Sequence, residues 1–118
     1  MDKRNKGKAY EQKAAEYLKT KGFRILEMNY HCKVGEIDIV AKDEEYLVFV
    51  EVKYRANAKS GFPQEAVDFR KQKKISATAG FYIMSHHLTE NTAVRFDVVS
   101  ILGEETTLIK NAFPYCFG

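Results

Sequence analysis

The chain has 118 residues, of which 45% are hydrophobic and 30% are charged, a balance typical of one soluble globular domain. The longest apolar run is too short to cross a bilayer and the polar N-terminus has no apolar run behind it, so we expect a cytoplasmic protein that does not enter a membrane. Two widely separated cysteines suggest neither a disulfide framework nor a zinc motif, and a net charge of +3 is too small to diagnose nucleic-acid binding.

The first predicted elements are a helix and a strand. Apolar residues recur at helical spacing from Gly7 to Lys21, and Gly22 is a typical helix stop. The segment Phe23–Tyr30 is rich in β-forming residues and predicts a strand.

The next two segments predict an antiparallel hairpin. Glu36–Ala41 and Tyr46–Tyr54 are β-rich, and only charged residues separate them. A four-residue loop would place Glu36 opposite Glu51, whereas a two-residue turn would place Asp38 there. Both registers keep the acids on one face, and the two isoleucines beside Asp38 are expected to point together into the core.

The second half of the chain predicts one helix and two strands. A polar loop at 57–61 precedes Pro63, which fits the first turn of a helix, and Phe69 and Gly80 are candidate points of interruption. Thr92–Leu102 and Thr106–Lys110 predict strands on either side of a turn. The order α, β, β, β, α, β, β predicts a single α/β domain over residues 1–118, with a mixed sheet flanked by helices.

Two Glu-x-Lys triplets occur, and backbone geometry selects one as a candidate site. On a helix, Glu11 and Lys13 point about 200° apart. On a strand, Glu51 and Lys53 share a face with backbones about 6.7 Å apart, a distance that their side chains can close. The non-functional alternative for this second triplet is an exposed sheet face, on which ion pairs stabilise the fold by about 0 to 1 kcal/mol.

Carboxylates of the facing strand favour a cation beside Glu51. Two carboxylates about 5 Å apart repel by roughly 3 kcal/mol at an effective dielectric of about 20. The ligands on offer are oxygens, which suits Mg²⁺ or Mn²⁺ rather than zinc. Asp38, Glu51 and the Val52 carbonyl would hold the ion, and Lys53 would orient a water for phosphodiester hydrolysis.

Further candidates surround this hairpin. Glu11 lies beside the apolar stripe of the first helix and is a candidate fourth acid, although a solvated Glu at the helix margin is the somewhat more common outcome for such a residue. Basic and polar residues flank the acidic centre as candidate DNA contacts, with solvated helix faces as the alternative: Lys6, Lys8, Arg55, Gln64 and Lys71.

Several segments together resemble the YraN-like family of uncharacterised proteins. They are Gly7 and Glu11, Gly-Glu-Ile-Asp at 35–38, Phe-Val-Glu-Val-Lys-Tyr-Arg at 49–55 and Arg-Phe-Asp-Val at 95–98. The match spans nearly the whole chain. That family is similar to the PD-(D/E)xK nuclease superfamily, near archaeal Holliday junction resolvases, although Ile37 stands where the superfamily's name has Pro.

The resemblance implies a restriction-endonuclease-like fold, with Asp38, Glu51 and Lys53 in metal and catalytic roles and Glu11 as the helix acid. Together with the site, it predicts a metal-dependent endonuclease that hydrolyses DNA, including branched or junction DNA. Symmetric cutting of two strands would need two copies, which makes a homodimer compatible with this function. The alternative is a non-catalytic nucleic-acid-binding or protein-interaction module on the same fold.

Overall fold

Two helices and five strands follow one another in the computed structural model, which describes residues 3–56 and 67–116. The helices are α1 (Lys3–Thr20) and α2 (Phe69–Ser85). The strands are β1 (Arg24–Cys32), β2 (Gly35–Asp43), β3 (Tyr46–Arg55), β4 (Val94–Leu102) and β5 (Glu105–Ile109). The predicted order of elements is confirmed. The loop at 57–61, Pro63 and Gln64 lie outside the described residues.

Local signals set the ends of both helices. After α1, Gly22 adopts φ +91, and the N–H groups of Gly22 and Phe23 donate to Lys19 and Leu18, which is the Schellman arrangement. The Asp68 carboxylate caps α2 by accepting from the N–H of Lys71 at 2.9 Å.

Phe69 and Gly80 are the two candidate points of interruption, and α2 begins at the first and continues through the second to Ser85. Gly80 therefore does not interrupt the helix. A Cβ at position 80 would lie 2.8 Å from the Tyr115 hydroxyl oxygen. The glycine therefore permits the C-terminal segment to approach the helix, rather than marking a break.

The five strands form one mixed sheet in the order β1-β2-β3-β4-β5. The β3–β4 pair is parallel and the other pairs are antiparallel. One apolar cluster joins the sheet to α1 through Leu18 and Val50, and the other joins it to α2 through Phe49 and Ile75. The predicted α/β architecture, a mixed sheet flanked by helices, is thereby confirmed. Neither described helix has the length and apolar character that a membrane span requires.

The hairpin of β2 and β3 uses the tighter of the two predicted turns. Asp43 pairs with Tyr46 and Ile39 pairs with Val50, so only two residues connect the strands. Glu44 takes a left-handed conformation with φ +54 in this turn. The register brings Asp38 next to Glu51 at the point where the regular ladder stops.

The two isoleucines beside Asp38 do not share a face, which corrects the expectation from strand alternation. Ile39 is buried in the cluster with α1, whereas Ile37 is buried in the cluster with α2. The neighbouring strand changes face at the same level, since Met28 packs with α1 and Tyr30 with α2. Asn29, between them, has φ +55, a conformation that breaks the alternation of a regular strand.

The Arg-Phe-Asp-Val segment of the family resemblance has a structural role in β4. Arg95 donates to both carboxylate oxygens of Asp97, at 2.9 and 2.8 Å, and to Asp43 at 2.8 Å. Asp97 is fully buried and also accepts from the N–H of Asn111 at 3.0 Å. These contacts tie β4 to the hairpin and to the segment after β5.

Candidate functional site

Asp38 and Glu51 lie together where β2 and β3 separate. The N–H of Val52 donates to Oδ2 of Asp38 at 2.8 Å, so this carboxylate occupies the place of a backbone partner in the ladder. Glu51 is 7% exposed and, by alternation along β3, points towards α2. Two carboxylates from adjacent strands therefore meet at one edge of the hairpin, partly shielded from solvent.

Two lysines face the buried carboxylate. Nζ of Lys53 lies 3.9 Å from Oε1 of Glu51, and Nζ of Lys71, from the first turn of α2, lies 3.4 Å from the same oxygen. The structure thus places Lys53 beside Glu51, as strand parity predicts. The contact of Lys71 was not predicted, because it joins residues from two separate elements.

The acids are held in an environment that opposes their ionisation. Burial and the nearby charge of Asp38 raise the pKa of Glu51 from 4.5 to about 7, against the opposing effect of Lys71 and Lys53. Burial also raises the pKa of Asp38, although the Val52 N–H and Lys71 favour its charged form. At neutral pH this pair therefore favours an added proton or cation.

Glu11 reaches the same cluster from α1. Burial raises its pKa, and the charge of Asp38 raises it further, while a hydrogen bond with Asn29 acts in the opposite direction. The left-handed Asn29 lies level with Asp38 in the β1–β2 pair, because Met28 pairs with Ile39 and Tyr30 with Ile37. Sequence reasoning missed Asn29, although Asn is one of the residues enriched in this conformation.

The cluster opens into a cavity of ≈ 210 Å³. Its walls combine acids, Lys71 and aromatic side chains: Gly7, Tyr10, Glu11, Glu36, Asp38, Glu51, Val52, Tyr54 and Lys71. Glu36 lies at the rim, where its exposed carboxylate is 2.8 Å from Nε2 of His31. Within residues 3–56 and 67–116, no three His, Cys, Asp or Glu side chains form a ready-made metal cage.

The structure locates only some of the predicted DNA contacts. Lys8 is exposed on α1, and Lys71 is exposed while contacting Glu51. Nε of Arg55 is buried without a hydrogen-bond partner among the described residues. The side chain of Lys6 and the whole of Gln64 lie outside the described part of the chain.

Comparison with known proteins gives the family. The model of the uncharacterised protein family UPF0102 matches residues 10–101. The chain belongs to this family. A UPF0102 protein of Lachnoclostridium phytofermentans is 53% identical over 96% of this chain and 96% of its own length. UPF0102 proteins of Clostridioides difficile and Persephonella marina are 48% and 44% identical, over 96% and 92% of this chain and 100% and 92% of their own lengths.

The match to UPF0102 confirms that the chain is a member of an uncharacterised family, as the sequence resemblance indicated. The matched range includes Glu11, Asp38, Glu51 and Lys53, so the whole acidic site lies within the region that defines the family. The names of the UPF0102 relatives state no activity, and the chemistry has to be argued from the site itself.

Proposed function

We propose that this UPF0102 protein is a metal-dependent endonuclease that hydrolyses DNA phosphodiester bonds. The observation that carries the proposal is the placement of two adjacent carboxylates, Asp38 and Glu51, with Lys53 on the same strand as Glu51. This is the donor set that the resemblance to PD-(D/E)xK nucleases requires. Branched or junction DNA is the substrate class that the resemblance to junction resolvases favours.

The residues present fit Mg²⁺ or Mn²⁺. Magnesium in proteins usually keeps several waters and is bound through only one or two carboxylates, so a complete protein cage is not required. Asp38 and Glu51 supply adjacent carboxylate oxygens, and Val52, which lines the same cavity, would add its carbonyl. The raised pKa of both acids marks a site that favours added positive charge. When bound, the ion would polarise a phosphoryl oxygen and acidify a water.

The chain's own residues would orient the reaction. Lys53, whose side chain is 27% exposed, can donate to a water or to a phosphate oxygen while remaining beside Glu51. Lys71, whose side chain is 45% exposed, could likewise donate to a phosphate oxygen from its place beside Glu51. Glu11, whose pKa is raised by burial and by the charge of Asp38, would be the fourth acid beside the reacting groups.

A second candidate function is a non-catalytic nucleic-acid-binding module. The observation that favours it is the contact of both lysines with Glu51, which partly neutralises the acid pair without any ion. In such a module the same lysines would bind phosphates and the carboxylates would serve only to position them.

Cleavage assays separate the two candidates. The protein is incubated with single-stranded, duplex, flap and four-way-junction DNA in Mg²⁺ or Mn²⁺, beside Asp38→Asn and Lys53→Met. We expect each substitution to reduce the cleavage rate by at least about 100-fold, the cost of losing one essential electrostatic contact. Lys13→Met is the matched control, because it removes the lysine of the helical Glu-x-Lys triplet and should leave the rate unchanged.

Cleavage that persists in both Asp38→Asn and Lys53→Met would refute the assigned site. Binding that weakens with salt, without cleavage of any substrate by the wild-type protein, would favour the binding module.

A further inference from the structure

Two tyrosines form a stacked pair on the wall of the acidic cavity. The rings of Tyr10 from α1 and Tyr54 from β3 have centroids 3.9 Å apart and planes inclined by 15°. Both residues line the same ≈ 210 Å³ cavity as Asp38 and Glu51. Tyr54 is still 37% exposed, so packing between the helix and the sheet does not bury the pair completely.

A second cavity, of ≈ 450 Å³, adjoins the first. It shares Glu36 and Lys71 with the acidic cavity, and Lys33 and Lys74 add positive charge to its lining. The surface therefore runs from a lysine-rich cavity, across the carboxylates, to an aromatic pair.

The lysines, the carboxylates and the tyrosine pair together match the chemistry of an unpaired nucleic-acid strand. Lysines neutralise backbone phosphates, whereas exposed aromatic rings stack on bases, and every base presents such a face. In a continuous duplex the bases are already stacked inside and cannot reach a side chain unless the strand is opened. An aromatic pair beside the reacting phosphate can stack on a neighbouring base only if that nucleotide is unpaired.

We infer that the Tyr10–Tyr54 pair stacks on an unpaired base next to the scissile phosphate, so that the substrate is DNA with a single-stranded segment at the site. The inference rests on the proposed nuclease function and specifies its substrate. The lysine-rich cavity, which meets the acidic cavity at Glu36 and Lys71, holds the backbone of the same strand. Tyr54 acts as a positioning and specificity-determining residue, and Tyr10 supports it from behind.

Binding without turnover tests this inference separately from catalysis. Single-stranded DNA that carries the fluorescent base 2-aminopurine is titrated with protein in EDTA at low salt, and the same sequence as a duplex serves for comparison. We expect the single strand to bind more tightly and its fluorescence to be quenched by stacking. Tyr54→Leu should weaken this binding by about 5- to 100-fold and abolish the quenching, whereas Tyr54→Phe should keep both.

Tyr46→Leu is the matched control. Tyr46 lies at the other end of the same strand and has the same 37% exposure, so its loss should leave binding unchanged. The salt dependence gives a second control: Lys74→Ala should lower the slope of log affinity against log salt by about 0.7, and Tyr54→Leu should leave the slope intact. A thermal melt of each variant verifies that it is folded.

The wild-type protein provides a test that needs no variant. Single strands with abasic sites keep their phosphates and lose their bases, so they should bind at least about 5-fold more weakly if stacking contributes. Equal affinity for abasic and normal strands, or a duplex that binds as tightly as the single strand, would overturn the inference. Failure of the nuclease proposal would look different: stacking and quenching would remain, but no DNA would be cut in Mg²⁺.

Discussion

Replacing Glu51 by Gln is expected to stabilise the folded protein at about pH 8 in the absence of divalent ions. Glu51 is 7% exposed, and burial beside Asp38 raises its pKa from 4.5 to about 7. Each pKa unit corresponds to about 1.36 kcal/mol, so the charged carboxylate costs the folded state roughly 3 kcal/mol. Gln keeps the shape of the side chain and removes this cost.

The pH dependence follows from the direction of the shift. The folded state binds the Glu51 proton more tightly than the unfolded state, so the free energy of unfolding falls as pH rises from 4.5 to about 7. The advantage of Glu51→Gln should therefore be small at about pH 4.5, grow through this interval and level off near 3 kcal/mol at higher pH.

Urea unfolding followed by circular dichroism, in EDTA and between about pH 5 and about pH 8, measures this difference. Glu105→Gln is the control, because Glu105 is exposed on β5 and its substitution should change stability little at any pH. The reasoning would be refuted if the difference in free energy of unfolding between wild type and Glu51→Gln were constant across this range. It would also be refuted if the wild type were more stable than Glu51→Gln at about pH 8.

Three further predictions concern the ion and the ion pairs of β4. At about pH 8, Mg²⁺ at ten times its Kd should raise the free energy of unfolding of the wild type by about 1.4 kcal/mol and that of Asp38→Asn hardly at all; equal shifts in thermal melts would argue against the assigned ligands. Arg95→Leu leaves the fully buried Asp97 without its cation and should cost about 3 to 5 kcal/mol in urea unfolding, and a loss below 1 kcal/mol would contradict this role. A hydrogen bond from Arg95 lowers the pKa of Asp43 below 3.8. The ionised Asp43 should therefore stabilise the folded state above that pH, and this stabilisation should fade as the pH falls below it. Acid unfolding curves of Asp43→Asn that coincide with those of the wild type would contradict this prediction.

The periodicity of the sequence was sufficient to predict the helices and strands and to place Glu51 and Lys53 together. Apolar residues at helical spacing located α1, and alternation along β3 placed Glu51 and Lys53 on one face. These are local properties of one helix or one strand, which the sequence of that segment determines. The family match confirms the resemblance but adds no chemistry, since the relatives' names state none.

The rest of the site depends on contacts between distant segments. The two hairpin registers fit the same hydrophobic pattern, and only the turn at Glu44 distinguishes them. The face change at Asp38 involves the left-handed Asn29 on a different strand, which alternation within β2 cannot indicate. The contacts of Lys71 with Glu51 and of Tyr10 with Tyr54 likewise arise only from tertiary packing.

The conformation of Asn29 also bears on how two copies of the chain could assemble. β1 is the outermost strand on its side of the sheet, and its free backbone groups would ordinarily invite pairing with a second molecule. A register shift between Ile25 and Glu27, followed by φ +55 at Asn29, bends this strand away from the flat shape that such pairing requires. The same kink that brings an amide to the acidic site therefore disfavours a sheet that continues from one molecule into the next across β1. The shape of β1 therefore favours a surface other than this strand for a dimer able to cut two strands.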